Sequence, residues 1–252
     1  MTPSRTRPFA SAPTSPRFGL ARVLSKMGVC SRSQAEKAVR EGRVTVDGRV
    51  VLDPERPTDP ERQRIGLDGA AVAAGKRVYL ALNKPRGTVV SAADERGRDT
   101  IYALLAKAGL PWLGPVGRLD KASEGLLLLS NDSIWAARLT DPRYHVDKTY
   151  HVQIDSIPSQ AALEQMIVGI NAQGEHLAMK RVSVLRTGEK NAWLEVVLDE
   201  GRNRHIRRLL EAQGIGVLRL IRIAIGSFAL GDLAKGQWRH LSAEEVASLQ
   251  NH

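Results

Sequence analysis

Apolar positions repeat with two different periods along this chain. Near the front, Leu20, Val23, Leu24 and Met27 follow an i, i+3, i+4, i+7 spacing, which predicts a helix with one buried stripe. Gly28 ends that helix. Ser33, with Glu36 three residues later, predicts a capping box that starts a second helix, and Gly42 ends it. The run from Val44 to Val51 then alternates around Asp47-Gly48, a strong hairpin signal. Residues 52–75 are rich in proline and charge and close in short strand-like pieces.

From Arg77 onward the pattern changes. Residues 78–83 read as a strand, and Lys84-Pro85-Arg86-Gly87 as a tight turn. Residues 101–108 read as a helix stopped by Gly109 and Pro111. Leu126-Leu127-Leu128-Leu129, bounded by turn residues, suits a strand buried on both faces. In 149–154, Tyr150, Val152 and Ile154 share one face, with His151 and Gln153 on the other. Residues 159–168 form a helix between Pro158 and Gly169, and Leu194, Val196 and Leu198 mark a strand. Ile206, Leu209, Leu210 and Gln213 form one helical face, with Arg204, Arg207, Arg208 and Glu211 on another. A β-branched strand over 217–225 and a last helix capped by Ser242 and Glu245 complete the chain. Strands dominate without a βαβ rhythm, which predicts an α+β fold with a mixed, mainly antiparallel sheet. The expected organisation is a disordered basic tail (1–17), a small module (18–75) and a larger domain (76–252).

Composition sharpens the picture. The chain has 252 residues, 42% of them apolar, enough for a core. No window reaches the ~20 apolar residues of a membrane span. The single cysteine, Cys30, fits a reducing compartment, and the six histidines show no metal-ligand spacing. Residues 1–17 are rich in Pro, Ser and Arg and lack an apolar signal core. A cytoplasmic protein is therefore expected, and the missing heptad pattern makes a monomer the default. The net charge of +10 points to a polyanion partner. The first acid is Glu36, and six basic residues precede it. Arg32, Lys37, Arg40 and Arg43 lie off the apolar stripe and are candidate phosphate contacts, as are Arg202, Arg204 and Arg208 further on.

Two resemblances follow from these residues. "LARVLSKMGVCSRSQAEKAVREGRVTVDGRVV" resembles an S4 domain, a small RNA-binding module. "LNKPRG", "GRLDKASEGLLLLSND", "DKTYHVQI", "EGRNRHIRRLLEAQG" and "LRLIRIAIG" follow in that order and resemble the successive motifs of the RsuA-type pseudouridine synthases, which modify ribosomal RNA. By itself, Asp120 reads as a turn residue as readily as a reactive acid. The resemblance implies that Asp120 is the essential aspartate, that Tyr150 stacks on the target base and that Arg207 pairs with the aspartate. It also implies that Leu220 walls the pocket, with Arg118 and Lys84 beside it, and that the Lys84–Gly87 motif is mainly structural. His205 stands where many members carry glutamine.

The implied reaction converts uridine to pseudouridine within an RNA chain. The N-glycosidic bond breaks, the uracil rotates and C5 rejoins the ribose, with no metal or cofactor. Asp120 attacks C1′ or takes the C2′ proton; sequence leaves both routes open. The texture of the last motifs points to 23S rRNA as the target, with 16S rRNA or tRNA as alternatives. Two other classes stand beside this reading. One is a non-catalytic S4-domain protein associated with the ribosome. The other is a glycosidase using Asp120 and Glu124 as its carboxylate pair.

Overall fold

Buried apolar stripes organise the front of the chain. The computed structural model describes residues 18–73, 75–91, 97–106 and 108–250, so the tail expected over 1–17 lies outside it. Helix Leu20–Lys26 buries Leu20, Val23 and Leu24 against Ala35, Ala38 and Val39 of helix Arg32–Arg40. Gly28 and Gly42, at φ +75° and +72°, follow the two helix ends. Strands Val44–Val46 and Arg49–Val50 form the hairpin around Asp47-Gly48, and Ile65–Leu67 pairs with the first of them.

One expectation here is corrected. The second helix is capped by Ser31, whose Oγ accepts from Gln34 N at 3.1 Å while Gln34 Oε1 accepts from Ser31 N at 3.0 Å. Ser33 lies inside the helix, and Arg32 is its first residue. The earlier start gains backbone bonds and frees Glu36 to pair with Arg32 at 3.2 Å, four residues apart.

The chain divides into two units between Gly75 and Lys76. The second unit is built on one large sheet. Its strands lie in the order Arg181–Thr187, Ala192–Leu198, Lys148–Ile154, Val217–Ile225, Glu124–Ser130, Tyr79–Lys84, Trp238–His240. Gly114–Val116 also pairs with Glu124–Ser130, and Phe228–Ala229 with Val217–Ile225. Among the described strands of this sheet the pairings are antiparallel except that of Val217–Ile225 with Glu124–Ser130. The fold is α+β with a mixed, mostly antiparallel sheet.

That parallel seam is short. Only Ile221 with Glu124 and Arg222 with Gly125 are in register. The leucine strand beside it is buried along its whole length. Leu127 and Leu129 join one core with Tyr150, Val152, Leu194 and Leu209, while Leu126 and Leu128 join another with Val116, Trp135 and Phe228. Two covered faces explain why the run is continuously apolar rather than alternating.

The helix expected over 101–108 shortens to one 3-10 turn, Ile101–Leu104. Thr100 makes no side-chain cap, and a segment this short cannot offset the cost of helix nucleation. Tyr102 instead stacks on Trp112, 4.7 Å between ring centroids. Among the described residues no helix is long and apolar enough to cross a membrane.

Candidate active site

A cavity of about 300 Å³ opens beside the parallel seam. Three segments far apart in sequence supply its chemistry. The loop before the leucine strand contributes Arg118, Leu119 and Asp120; strand Lys148–Ile154 contributes Lys148 and Tyr150; helix His205–Ala212 contributes His205, Ile206 and Arg207. Leu220 and Arg222 enter from strand Val217–Ile225.

Local sequence fixes the Asp120 loop. Gly117 adopts φ +76°, and Ser123 N donates to the Asp120 carbonyl at 3.0 Å. Gly87 N donates to the Lys121 carbonyl at 2.8 Å, which ties the Pro-Arg-Gly turn to the same loop. Lys84 sits beneath it. Its Nζ donates to the carbonyls of Ser123 at 2.8 Å, Pro85 at 3.1 Å and Asp120 at 3.2 Å. Burial pushes the Lys84 ammonium down to about 8, against the opposing pull of Asp120 and Glu124. Lys84 is 0% exposed and does not line the cavity. The expectation of a pocket contact is thus corrected: this lysine's three donors are spent on backbone carbonyls, and its role is to hold the loop.

Tyr150 belongs to the core and lines the cavity at once. Arg207 stands near Asp120 without pairing with it. Its guanidinium donates to the Ala122 carbonyl at 3.3 Å and the Val217 carbonyl at 3.4 Å, and Nε is buried without a partner. Burial lowers the Arg207 pKa, as does Arg204, while Asp120 favours the charged form. The expected ion pair is therefore not formed in this structure, because the longer reach of the side chain goes to two carbonyls. Its loose bonds leave donors available to the cavity.

The remaining cations separate into two kinds. Arg118 and Arg204 are exposed at the cavity, and Arg204 takes φ +49° just before the helix. Arg202 also lines the cavity and pairs with Glu200 at 2.9 Å. Arg208 is different: only 10% exposed, it pairs with Glu175 at 2.6 Å and donates to the Ala172 carbonyl at 2.8 Å. Its expected place among free phosphate contacts is corrected to that of an internal brace. The sequence pattern could not show this, since Glu175 lies far from it in sequence. The buried His205 ring holds Nδ1 3.3 Å from Glu200 Oε1, and burial lowers its pKa despite that carboxylate.

In the front unit the charge is more balanced than its sequence suggests. Arg32 pairs with Glu36 and Glu55, Lys37 with Glu41, and Arg43 with Glu41 and both oxygens of Asp68. Among the described residues Arg40 forms no such pair. These pairs are exposed and individually weak, so a phosphate can compete for the cations.

Glu124 is not available as a second carboxylate. It is buried, bonds Arg219 through both oxygens at 3.1 and 3.2 Å, and accepts from Lys235. Burial works to raise its pKa, but those cations hold it below the ordinary value. It does not line the cavity, which removes the paired-carboxylate geometry a glycosidase needs.

Among the cations that line the cavity, Lys148 and Arg222 were not foreseen. A signal was present: Lys148 shares the apolar parity of Tyr150, Val152 and Ile154, and Arg222 that of Leu220. A charge at a buried strand position needs a reason.

The fold and the cavity place Asp120 among several cations in an α+β domain that follows a small basic module. Residues 78–212 match the family model for RNA pseudouridylate synthase, and residues 18–63 match that of the S4 domain. A protein of Aquifex aeolicus (strain VF5), described as an uncharacterized RNA pseudouridine synthase, is 38% identical over 229 residues, 90% of this chain and 92% of the relative. The ribosomal large subunit pseudouridine synthase B of Bacillus subtilis (strain 168) is 34% identical over 234 residues, 92% of this chain and 95% of that protein. A crystal structure of a pseudouridylate synthase superposes with a TM-score of 0.64 at 30% identity, covering 93% of this chain and 100% of the other. The chain belongs to the RsuA-type RNA pseudouridine synthases that carry an N-terminal S4 domain.

Proposed function

We propose that this chain converts a uridine of large-subunit ribosomal RNA to pseudouridine, with Asp120 acting at the ribose. The observation that carries the chemistry is convergence: Asp120, Tyr150 and Arg207 come from three separate elements to one cavity in a chain of this family. The target reading rests on the large-subunit enzyme of B. subtilis, to which the chain is similar over nearly its whole length.

The target nucleotide leaves its stack, at a cost of ~a few kcal/mol. Stacking on the Tyr150 ring and phosphate contacts from Arg118, Arg202 and Arg204 offset that cost. Asp120 then attacks C1′ or removes the C2′ proton as the glycosidic bond breaks. Arg207, with donors loosely held beside the loop, orients and stabilises its carboxylate in the loaded enzyme. Lys84 keeps the backbone under Asp120 fixed while the uracil turns. Arg32, Lys37, Arg40 and Arg43 of the S4 unit supply further phosphate contacts. The protein acts as a monomer in the cytoplasm.

Mapping pseudouridines in rRNA from a strain lacking the gene tests this reading. The expected result is the loss of one 23S site, restored by the wild-type gene. Loss of a 16S or tRNA site instead overturns the target, and an unchanged map overturns the function.

A further inference from the structure

Arg222 is the one buried cation of the cavity that the reading above leaves without a task. It is 4% exposed, and its Nε donates to the Leu126 carbonyl at 2.7 Å. That bond spans the gap where the leucine strand leaves the two-residue seam. Nη2 is buried with no partner. An unmet donor on a buried guanidinium is costly in a folded protein, and such groups call for a partner.

Its position says which partner. Arg222 lies directly opposite Tyr150 in the register between their strands. Side chains in such a pair are neighbours, so a base stacked on the Tyr150 ring presents an edge to Arg222. Lys148, two residues before Tyr150, also lines the cavity, and burial together with Arg222 lowers its pKa. The buried end of the cavity thus favours a group that gains negative charge. The exposed cations Arg118 and Arg204 suit phosphates, whereas Arg222 is too deep to follow an RNA backbone.

We propose that Arg222 donates through Nη2 to a carbonyl oxygen of the target uracil and stabilises the uracil anion as the glycosidic bond breaks. The inference rests on the pseudouridine synthase reading. In that step the N1–C1′ electron pair stays with the uracil and spreads over its carbonyl oxygens. C1′ bonds to the Asp120 carboxylate, or the C2′ proton passes to Asp120. C5 then bonds to C1′, with departure of the carboxylate or return of that proton to C2′. The C5 proton is released to a base and N1 takes up a proton. Arg222 transfers none.

The test compares wild type, Arg222→Gln and Arg222→Lys in single turnovers on 23S rRNA transcripts made with uridine or with 5-fluorouridine. Fluorine stabilises the departing anion, so it relieves the need for the donor. On uridine RNA the Gln variant is expected to lose about 10²–10³ in rate, as when an oxyanion donor is removed, with RNA affinity retained. On 5-fluorouridine RNA, read as consumption of that nucleoside, the loss shrinks to less than about tenfold. The Lys variant recovers part of the rate. Equal losses on both RNAs, or a loss confined to affinity, overturn the proposal. If the Gln variant lacks a cooperative melt, the wild type alone decides on transcripts carrying 2-thiouridine or 4-thiouridine. One of the two is expected to react at least about tenfold more slowly, and unchanged rates on both overturn the proposal. A wild type inactive on 23S, 16S and tRNA transcripts removes the parent reading; an active wild type with an unaffected variant removes only the role of Arg222.

Discussion

The Lys84 ammonium donates to the backbone carbonyl of Asp120 at 3.2 Å, so a fully buried cation sits directly under the loop that carries the cavity's aspartate. It bonds the Ser123 carbonyl at the other end of the same turn. Replacing it by methionine leaves three carbonyls without that donor. Lys84→Met is expected to lower the melting temperature and to reduce turnover far more than RNA affinity, measured by calorimetry and by kcat against Kd. The pH dependence has a defined sign. With the folded pKa near 8 against an ordinary 10.5, the unfolded chain binds more protons between those values. The penalty for burying the charge is therefore full below about pH 8 and fades as pH rises towards 10.5. Urea melts should show the wild type gaining on Lys84→Met over that window, and parallel curves would place the Lys84 pKa at its ordinary value.

Asp120→Asn keeps the shape of the loop, because Lys84 and Ser123 hold its backbone rather than its carboxylate. Pseudouridine formation is expected to vanish while RNA binding survives. Substantial turnover by this variant in a nucleoside assay would sink the assignment of Asp120.

Tyr150 separates stacking from packing. Tyr150→Phe keeps the ring and should retain RNA affinity, whereas Tyr150→Leu fills the core without a flat face. A loss of about 1–3 kcal/mol in binding a flipped base is expected for the leucine variant, the usual worth of base–aromatic stacking. Equal affinities for both variants by filter binding would rule out the platform.

Gly125 sits at φ +98° in the seam, and a Cβ there would meet the backbone of Arg222, its nitrogen at 2.8 Å. Gly125→Ala is expected to cost at least about 2 kcal/mol, since a strained backbone and a backbone clash combine. Chemical denaturation measures it, and a change under about 0.5 kcal/mol would show that the seam relaxes freely.

Arg40 forms no ion pair among the described residues, whereas Arg43 is clamped by Asp68. Arg40→Ala should weaken RNA binding and flatten the log–log salt dependence by ~0.7–0.9. Arg43 must give up its pair with Asp68 before it can reach a phosphate, so Arg43→Ala is expected to change RNA binding less. Anisotropy titrations across a range of salt check the order of the two.

The strands, both helices of the front unit and the hairpin were legible because their signals are local. The alternation of Tyr150, Val152 and Ile154, the four leucines and the Asp47-Gly48 turn each depend on neighbours in sequence. The misreadings came from competition between local signals or from distant partners. Ser31-x-x-Gln34 and Ser33-x-x-Glu36 both fit a capping box, and only packing chose the first. Arg208 looked exposed by helical spacing until Glu175 and the Ala172 carbonyl came to meet it from an earlier segment of the chain.

By itself the sequence determined the α+β fold, the front RNA-binding module and the three motifs carrying Asp120, Tyr150 and Arg207. Periodicity and motif order are properties of short segments, and they persist whatever the chain does elsewhere. Tertiary structure decided which cations are free and which are spent. It placed Lys84 beneath the loop instead of in the cavity, locked Glu124 between Arg219 and Lys235, and left Arg222 with an unpaired donor opposite Tyr150. The reason is that a buried charge takes its meaning from the partners around it, and here those partners come from segments tens of residues away.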